Sequence, residues 1–140
     1  MTVKQYPEPV VGAFILNPQG KLFLMKSHKW KDRYVVPGGH IELGEKIEEA
    51  LQREVMEETT LTVSDPKFLC IHEFISEEGF HTKKHMLFLN FLVKTKSTNV
   101  TLNDEAEAYI WVTIEEALKL PLEKYTKMTI EEHLWKNTKK

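Results

Sequence analysis

Short apolar runs and one helical stripe divide the chain. Val10 to Leu16 is nearly all apolar and stops at Asn17-Pro18-Gln19-Gly20, and Leu22 to Met25 resumes the run; this predicts a strand, a turn and a second strand in a hairpin. A polar segment bearing two aromatics, His28 to Tyr34, precedes Val35-Val36 and the breaker Pro37-Gly38-Gly39. From Glu45 or Lys46 to about Thr59 the residues are strong helix formers, with Ile47, Ala50, Leu51 and Val55 at helical spacing, which predicts a helix of three to four turns. Lys67 to Ile75 and Lys84 to Lys94 read as two strands around a polar Glu77-Glu78-Gly79 turn, and Tyr109 to Val112 as a short strand. Thr113 N-caps a helix through Leu120, with Glu116 at the capping-box position and Pro121 as its stop; Leu122 to Trp135 continues helical and ends in a basic tail. Hairpins with a helix inserted between them, then a closing strand and terminal helices, describe an α/β sandwich with a mixed sheet, unlike the regular alternation of a doubly wound fold. At 140 residues the chain is expected to be a single domain, 1–140.

Composition changes that picture little. The charges nearly balance, with 19 Lys and Arg against 21 Asp and Glu, so no basic excess points to nucleic acid as a partner. One cysteine, Cys70, and no apolar leader or membrane span in the sequence make a cytoplasmic protein the expectation. Acids are 18 Glu to 3 Asp and bases 17 Lys to 2 Arg, so the position of each arginine carries information.

The helix after Gly39 holds the chemistry. At 100° per residue from Ile47, the apolar residues Ala50, Ile47, Leu51 and Val55 span a face about 140° wide; Glu54 and Glu58 project from its middle and Glu57 from its edge. A helix that only packs turns its acids outward, because desolvating an unpaired carboxylate costs several kcal/mol. Three acids at i, i+3 and i+4 can offer oxygens to one point, and hard oxygen donors suit Mg²⁺ or Mn²⁺. A lone Glu-x-x-Glu-Glu is more often a solvated helix face; the phase of the apolar stripe argues otherwise here.

Gly39, five residues, Glu45, seven residues, Arg53-Glu54-Val55-Met56-Glu57-Glu58 and then Thr60-Leu61 resemble the signature box of the Nudix hydrolases. With this composition the six matched residues coincide by chance about once in several million starting positions. The resemblance implies a Nudix-type α/β/α sandwich that hydrolyses a nucleoside diphosphate linked to another moiety, with Mg²⁺ or Mn²⁺ as cofactor. It makes Glu54, Glu57, Glu58 and the backbone of Gly39 the expected metal ligands, with Glu54 or Glu58 also orienting or deprotonating water. Arg53 and Glu45 become a supporting pair, and Glu105, with Asp104 and Glu107 as rivals, a further ligand or base. Thr60 stands where the family usually carries glycine, at an expected cost of about 1 kcal/mol in a left-handed cap.

For substrate, Lys29, Lys31 and Arg33 supply positive charge beside the turn, and Trp30 or Tyr34 can stack on a base. The histidines His72, His81 and His85 show no metal-ligand spacing and read as ordinary polar residues. Subfamily marks for ADP-ribose, dinucleoside polyphosphates, NADH and coenzyme A are absent, which by elimination favours a MutT-like (deoxy)nucleoside triphosphate pyrophosphohydrolase. Two alternatives stay open: an ADP-ribose or nucleotide-sugar pyrophosphatase, and a non-catalytic nucleotide-binding or interaction module. The expected partner is a small nucleotide, and a homodimer fits the family pattern.

Overall fold

The computed structural model describes residues 5–76 and 84–135. The Glu77-Glu78-Gly79 turn, His81 and the basic tail past Trp135 lie outside the described residues. Seven strands form one sheet: β1 (Glu8–Leu16), β2 (Leu22–Ser27), β3 (Arg33–Val35), β4 (Gly38–His40), β5 (Ser64–Ile75), β6 (His85–Lys94) and β7 (Ala108–Val112). The helices are α1 (Ile47–Thr59), α2 (Ile114–Ala117) and α3 (Lys124–Thr129), the last running on as a wider helical turn over Ile130–Trp135. In the order β3-β2-β1-β6-β5, with β4 added on β1 and β7 on β2, β1 runs parallel to β6 and the other strand pairs among the described residues are antiparallel. The mixed sheet of the sequence reading is present.

Period-two alternation along β1 builds a core on each face. Val11, Ala13 and Ile15 pack with Ala50, Leu51 and Val55 of α1; Phe14 points the other way, to Leu122, Ile130 and Leu134. Helices therefore cover both faces, as an α/β/α sandwich requires. Among the described residues no helix is long and apolar enough to cross a membrane.

The β1–β2 hairpin survives only at its turn. The two strands pair at Leu16 and Leu22, where the Asn17 carboxamide oxygen accepts from the amides of Gln19 and Lys21. Beyond that point Val10, Val11 and Gly12 pair with β4, and the amide of Ala13 donates to the carbonyl of Pro37 at 2.8 Å. β2 pairs along its length with β7 instead. The Pro37-Gly38-Gly39 breaker is thus a wedge that separates the hairpin and seats two glycines against β1. β5 begins at Ser64, ahead of the expected Lys67, because an edge strand tolerates Pro66 beside a register shift.

The helix α1 ends as the sequence implied, but with a threonine in the glycine conformation. Thr60 has φ 65° and its amide donates to the carbonyl of Met56 at 3.0 Å. For a β-branched residue the left-handed region costs about 1 kcal/mol or more. Thr60→Gly is therefore expected to raise stability by about 1 kcal/mol, read as a higher midpoint in urea at unchanged slope; a lower midpoint would show that the bond from the Thr101 amide to the Thr60 hydroxyl outweighs the strain. The helix Thr113 begins has the expected capping box, with Glu116 N donating to Thr113 Oγ1 at 3.1 Å and Thr113 N to Glu116 Oε1 at 2.8 Å, but stops at Ala117.

Candidate active site

The C-terminal half of α1 meets the Gly38-Gly39 wedge. Glu58 is buried, 3% exposed, and its Oε2 accepts from the amide of Gly38 at 3.1 Å. Burial pushes its carboxyl well above the ordinary carboxylate range, and the adjacent Glu54 carboxylate, hydrogen-bonded to it, pushes the same way, against the lowering effect of the Gly38 amide. The missing side chains of Gly38 and Gly39 make room for different neighbours. A Cβ on Gly39 would overlap the Glu54 carboxylate, and one on Gly38 would overlap the Val11 carbonyl. Gly39 lets the Glu54 carboxylate lie directly on backbone, and Gly38 lets β4 approach β1 closely.

Arg53 organises the other side. Its Nε and Nη2 donate to the two oxygens of Glu45 at 2.7 and 3.0 Å, Nη2 also reaches the His40 carbonyl at 3.0 Å, and Nη1 reaches Glu54 Oε1 at 2.9 Å and Glu57 Oε2 at 3.4 Å. This two-point grip holds the Glu45 carboxyl down to about 2, first through the Arg53 bonds and then through the Glu42 amide, which donates to Glu45 Oε1 at 3.0 Å. Glu45 fixes the guanidinium, and the guanidinium fixes Glu54.

The three acids are not equivalent. Glu58 and Glu54 face inward, whereas Glu57 is about half exposed beside Arg53. Ile47, the apolar reference of the helical stripe, is itself 42% exposed, so the buried face is narrower than its sequence suggests. Among the described residues, the trio of His, Cys or acidic side chains with donor atoms within 4.8 Å of one another is His28, Asp32 and Glu107. Glu54, Glu57 and Glu58 do not draw together to that spacing. In that trio the His28 ring lies between the two acids, Nδ1 3.2 Å from Asp32 and Nε2 3.0 Å from Glu107, and so separates them instead of joining them round one point.

A cavity of about 310 Å³ opens beside Glu58 and the glycine wedge. Glu105, Lys29 and Trp30 line it, and Lys29 Nζ pairs with Glu105 Oε2 at 2.6 Å. Asp104 is exposed and outside the lining, and Glu107 is engaged by His28, so Glu105 is the loop acid placed next to the site. Arg33 and Tyr34 do not line the cavity. Arg33 Nη1 donates to the Leu122 carbonyl at 3.3 Å, and Tyr34 packs into the core on the α3 side, because they alternate on β3 in a register that pairs Tyr34 with Lys26. Lys31 is exposed, also outside the lining, with φ 56° closing the turn after Trp30.

The rest of the cavity comes from residues the sequence did not single out. Phe88 and Asn90 on β6, and Glu123, Tyr125 and Thr126 at the start of α3, complete its wall. The Tyr125 and Phe88 rings lie 5.7 Å apart at 37°. The Glu123 carboxylate caps α3, accepting from the amides of Tyr125 and Thr126 at 2.8 and 3.1 Å and from the Thr126 hydroxyl at 3.1 Å. The pairing of Asn90 with Gly12 and of Gly12 with Gly38 puts Asn90 two strand spacings, roughly 10 Å, from the Gly38–Glu58 contact. Of the histidines, His72 bonds Thr129 and His85 pairs with Glu73.

Residues 6–132 match the NUDIX domain family model. The chain is 32% identical over 110 residues to the nucleoside triphosphatase NudI of Klebsiella pneumoniae subsp. pneumoniae, spanning 71% of this chain and 79% of that protein. The MutT protein of Methanosarcina mazei Go1 superposes with a TM-score of 0.77 at 25% identity, covering 99% of this chain and 100% of that one. The MutT NUDIX hydrolase of Burkholderia pseudomallei shares the fold with a TM-score of 0.77 at 24% identity over 91% of this chain and 98% of its own.

Proposed function

The chain belongs to the Nudix hydrolase family, and on that premise we propose that it is a MutT-like pyrophosphohydrolase, converting a (deoxy)nucleoside triphosphate to the monophosphate and pyrophosphate. The observation that carries this reading is continuity: one cavity joins the buried Glu58 and Gly38-Gly39 to the aromatic wall of Phe88 and Tyr125. A phosphate chain beside the carboxylates leaves the nucleoside among the aromatics, the span of a nucleotide. The likeness to a nucleoside triphosphatase over most of both chains supports the same substrate class over ADP-ribose or a nucleotide sugar.

The donor set fits a divalent cation. Of Glu54 and Glu58, Arg53 reaches Glu54 alone, and no cationic side chain pairs with Glu58 among the described residues; Glu57 and the Gly39 backbone stand beside them. These are the residues that would hold Mg²⁺ or Mn²⁺, which when bound neutralises diphosphate oxygens and lowers the pKa of water. The chain's own groups do the positioning. Arg53, locked by Glu45, sets the angle of Glu54; the Gly38 amide sets Glu58. Lys29 is positioned to exchange Glu105 for a substrate phosphate, which leaves the Glu105 carboxylate beside the cavity as acceptor for a proton from the attacking water. Trp30 borders the same space, with Arg33 and Tyr34 supporting β3 behind it.

Single-domain organisation over 1–140, a cytoplasmic location and a homodimer are parts of the same proposal. Phe68, Ile71 and Ile75, each about half exposed along the edge strand β5, support self-association. Incubation with a panel of nucleoside triphosphates, ADP-ribose and nucleotide sugars in Mg²⁺ tests the substrate class. Monophosphate and pyrophosphate from triphosphates is the expected result. Turnover confined to ADP-ribose or sugars would move the assignment to the alternative, and no turnover of any compound would favour a binding module.

A further inference from the structure

Asn90 is a polar side chain in an otherwise apolar part of the cavity, among Phe14, Val36, Met86 and Phe88. It is 6% exposed. Its Nδ2 donates to the sulfur of Cys70 at 3.7 Å, outside the cavity lining. The contacts around the sulfur agree with that orientation. The Thr129 hydroxyl donates to the Tyr125 carbonyl at 2.9 Å, which leaves it to accept from His72 Nε2 at 3.1 Å; the Cys70 sulfur, 3.6 and 3.7 Å from those two groups, is then free to accept from Asn90. The Asn90 Oδ1 is on the Gly12 side, where an added Cβ would come within 2.5 Å of it. That close approach suits a carbonyl oxygen facing a Cα–H better than it suits an amide N–H. Among the described residues no donor reaches Oδ1.

We infer that Asn90 is a specificity-determining residue whose Oδ1 accepts a hydrogen bond from an amino group on the edge of the substrate's base. The inference rests on the reading of this cavity as the nucleoside site and deepens it. Solvent serves an acceptor that is open to the cavity in the free protein; a base that displaces that solvent and supplies an N–H keeps the oxygen paired, whereas a base lacking the N–H leaves it unpaired. Gly12 is part of the device, because only a residue without Cβ lets the carboxamide lie over β1. Cys70 acts through Asn90 as a positioning residue, holding the amide so that its oxygen and not its nitrogen faces the ligand.

The test pairs each nucleotide with its des-amino analogue: ATP with purine riboside triphosphate, and CTP with the 2-pyrimidinone ribonucleoside triphosphate. For the wild-type protein at least one amino-bearing member is expected to exceed its analogue by about 10- to 100-fold in kcat/KM, carried by KM. In Asn90→Ala that ratio is expected to fall to within about threefold, and in Asn90→Asp, which keeps an acceptor, to persist. A ratio near one in the wild-type protein overturns the inference without recourse to any variant. So does an Asn90→Ala enzyme that loses the same factor on both members of a pair. Hydrolysis of triphosphates with no such ratio leaves the pyrophosphohydrolase reading standing, whereas no hydrolysis of any member removes both.

Discussion

Glu58→Gln is expected to lower nucleoside triphosphate hydrolysis on the order of 10³-fold, several kcal/mol of transition-state stabilisation, in a protein that stays folded. Gln keeps the shape and still accepts from the Gly38 amide, so the loss falls on kcat and not on folding. The same substitution changes stability in a direction opposite to the usual one for a lost acidic group. Burial and the Glu54 carboxylate raise the Glu58 carboxyl above its ordinary value of 4.5, so in the metal-free protein the folded state keeps a proton that the unfolded state has released. Stability from this group is complete below pH 4.5 and is lost as pH rises toward the raised folded-state value. In EDTA at pH 8, Glu58→Gln is therefore expected to melt at a higher temperature than wild type, and at pH 4 at about the same temperature. An equal or lower melting temperature at pH 8 would mean that Glu58 carries no buried proton.

Arg53→Lys is expected to damage catalysis about tenfold less than Glu58→Gln and to lower stability as well. The lysine keeps the charge but has one nitrogen where Arg53 uses three to reach Glu45, His40, Glu54 and Glu57. Loss of the two-point bond to Glu45 is expected to lower the urea midpoint, modestly because solvent reaches both partners. A free Glu54 is expected to lower kcat on the order of 10²-fold with KM within a few fold, since the positioning acts on the reacting groups and not on the nucleoside wall. A rise in KM at unchanged kcat would instead make Arg53 a substrate ligand.

Much of the candidate site could be read from the sequence because it is local. Arg53, Glu54, Glu57 and Glu58 lie within two turns of one helix, and the helical period alone turns Glu54 and Glu58 toward the apolar face. Gly39 and Glu45 follow from the spacing before that helix. What stayed hidden depends on pairings distant in sequence. Asn90 is a lone asparagine within an apolar strand, and it becomes a wall residue only because β6 runs parallel to β1 opposite Gly12. Tyr125 and Glu123 join it through the docking of a six-residue helix, α3, whose position no local pattern specifies. Arg33 and Tyr34 show the converse. Their composition suits a nucleotide, but β3 packs Tyr34 into the core beside Leu122 and engages Arg33 with the Leu122 carbonyl, so neither lines the cavity. The same wedge that makes the site, Pro37 to Gly39, takes β1 away from β2, so the signal that located the chemistry is also what limited the hairpin.

Whether Glu54 and Glu58 together hold a divalent cation is read by calorimetric titration of the protein with Mn²⁺ in two buffers of different ionisation enthalpy. At pH 7.5 the wild-type protein is expected to bind the ion with release of close to one proton, the one burial keeps on Glu58, and Glu58→Gln to lose most of the affinity. Equal binding by both proteins, with heats that do not depend on the buffer, would contradict the account.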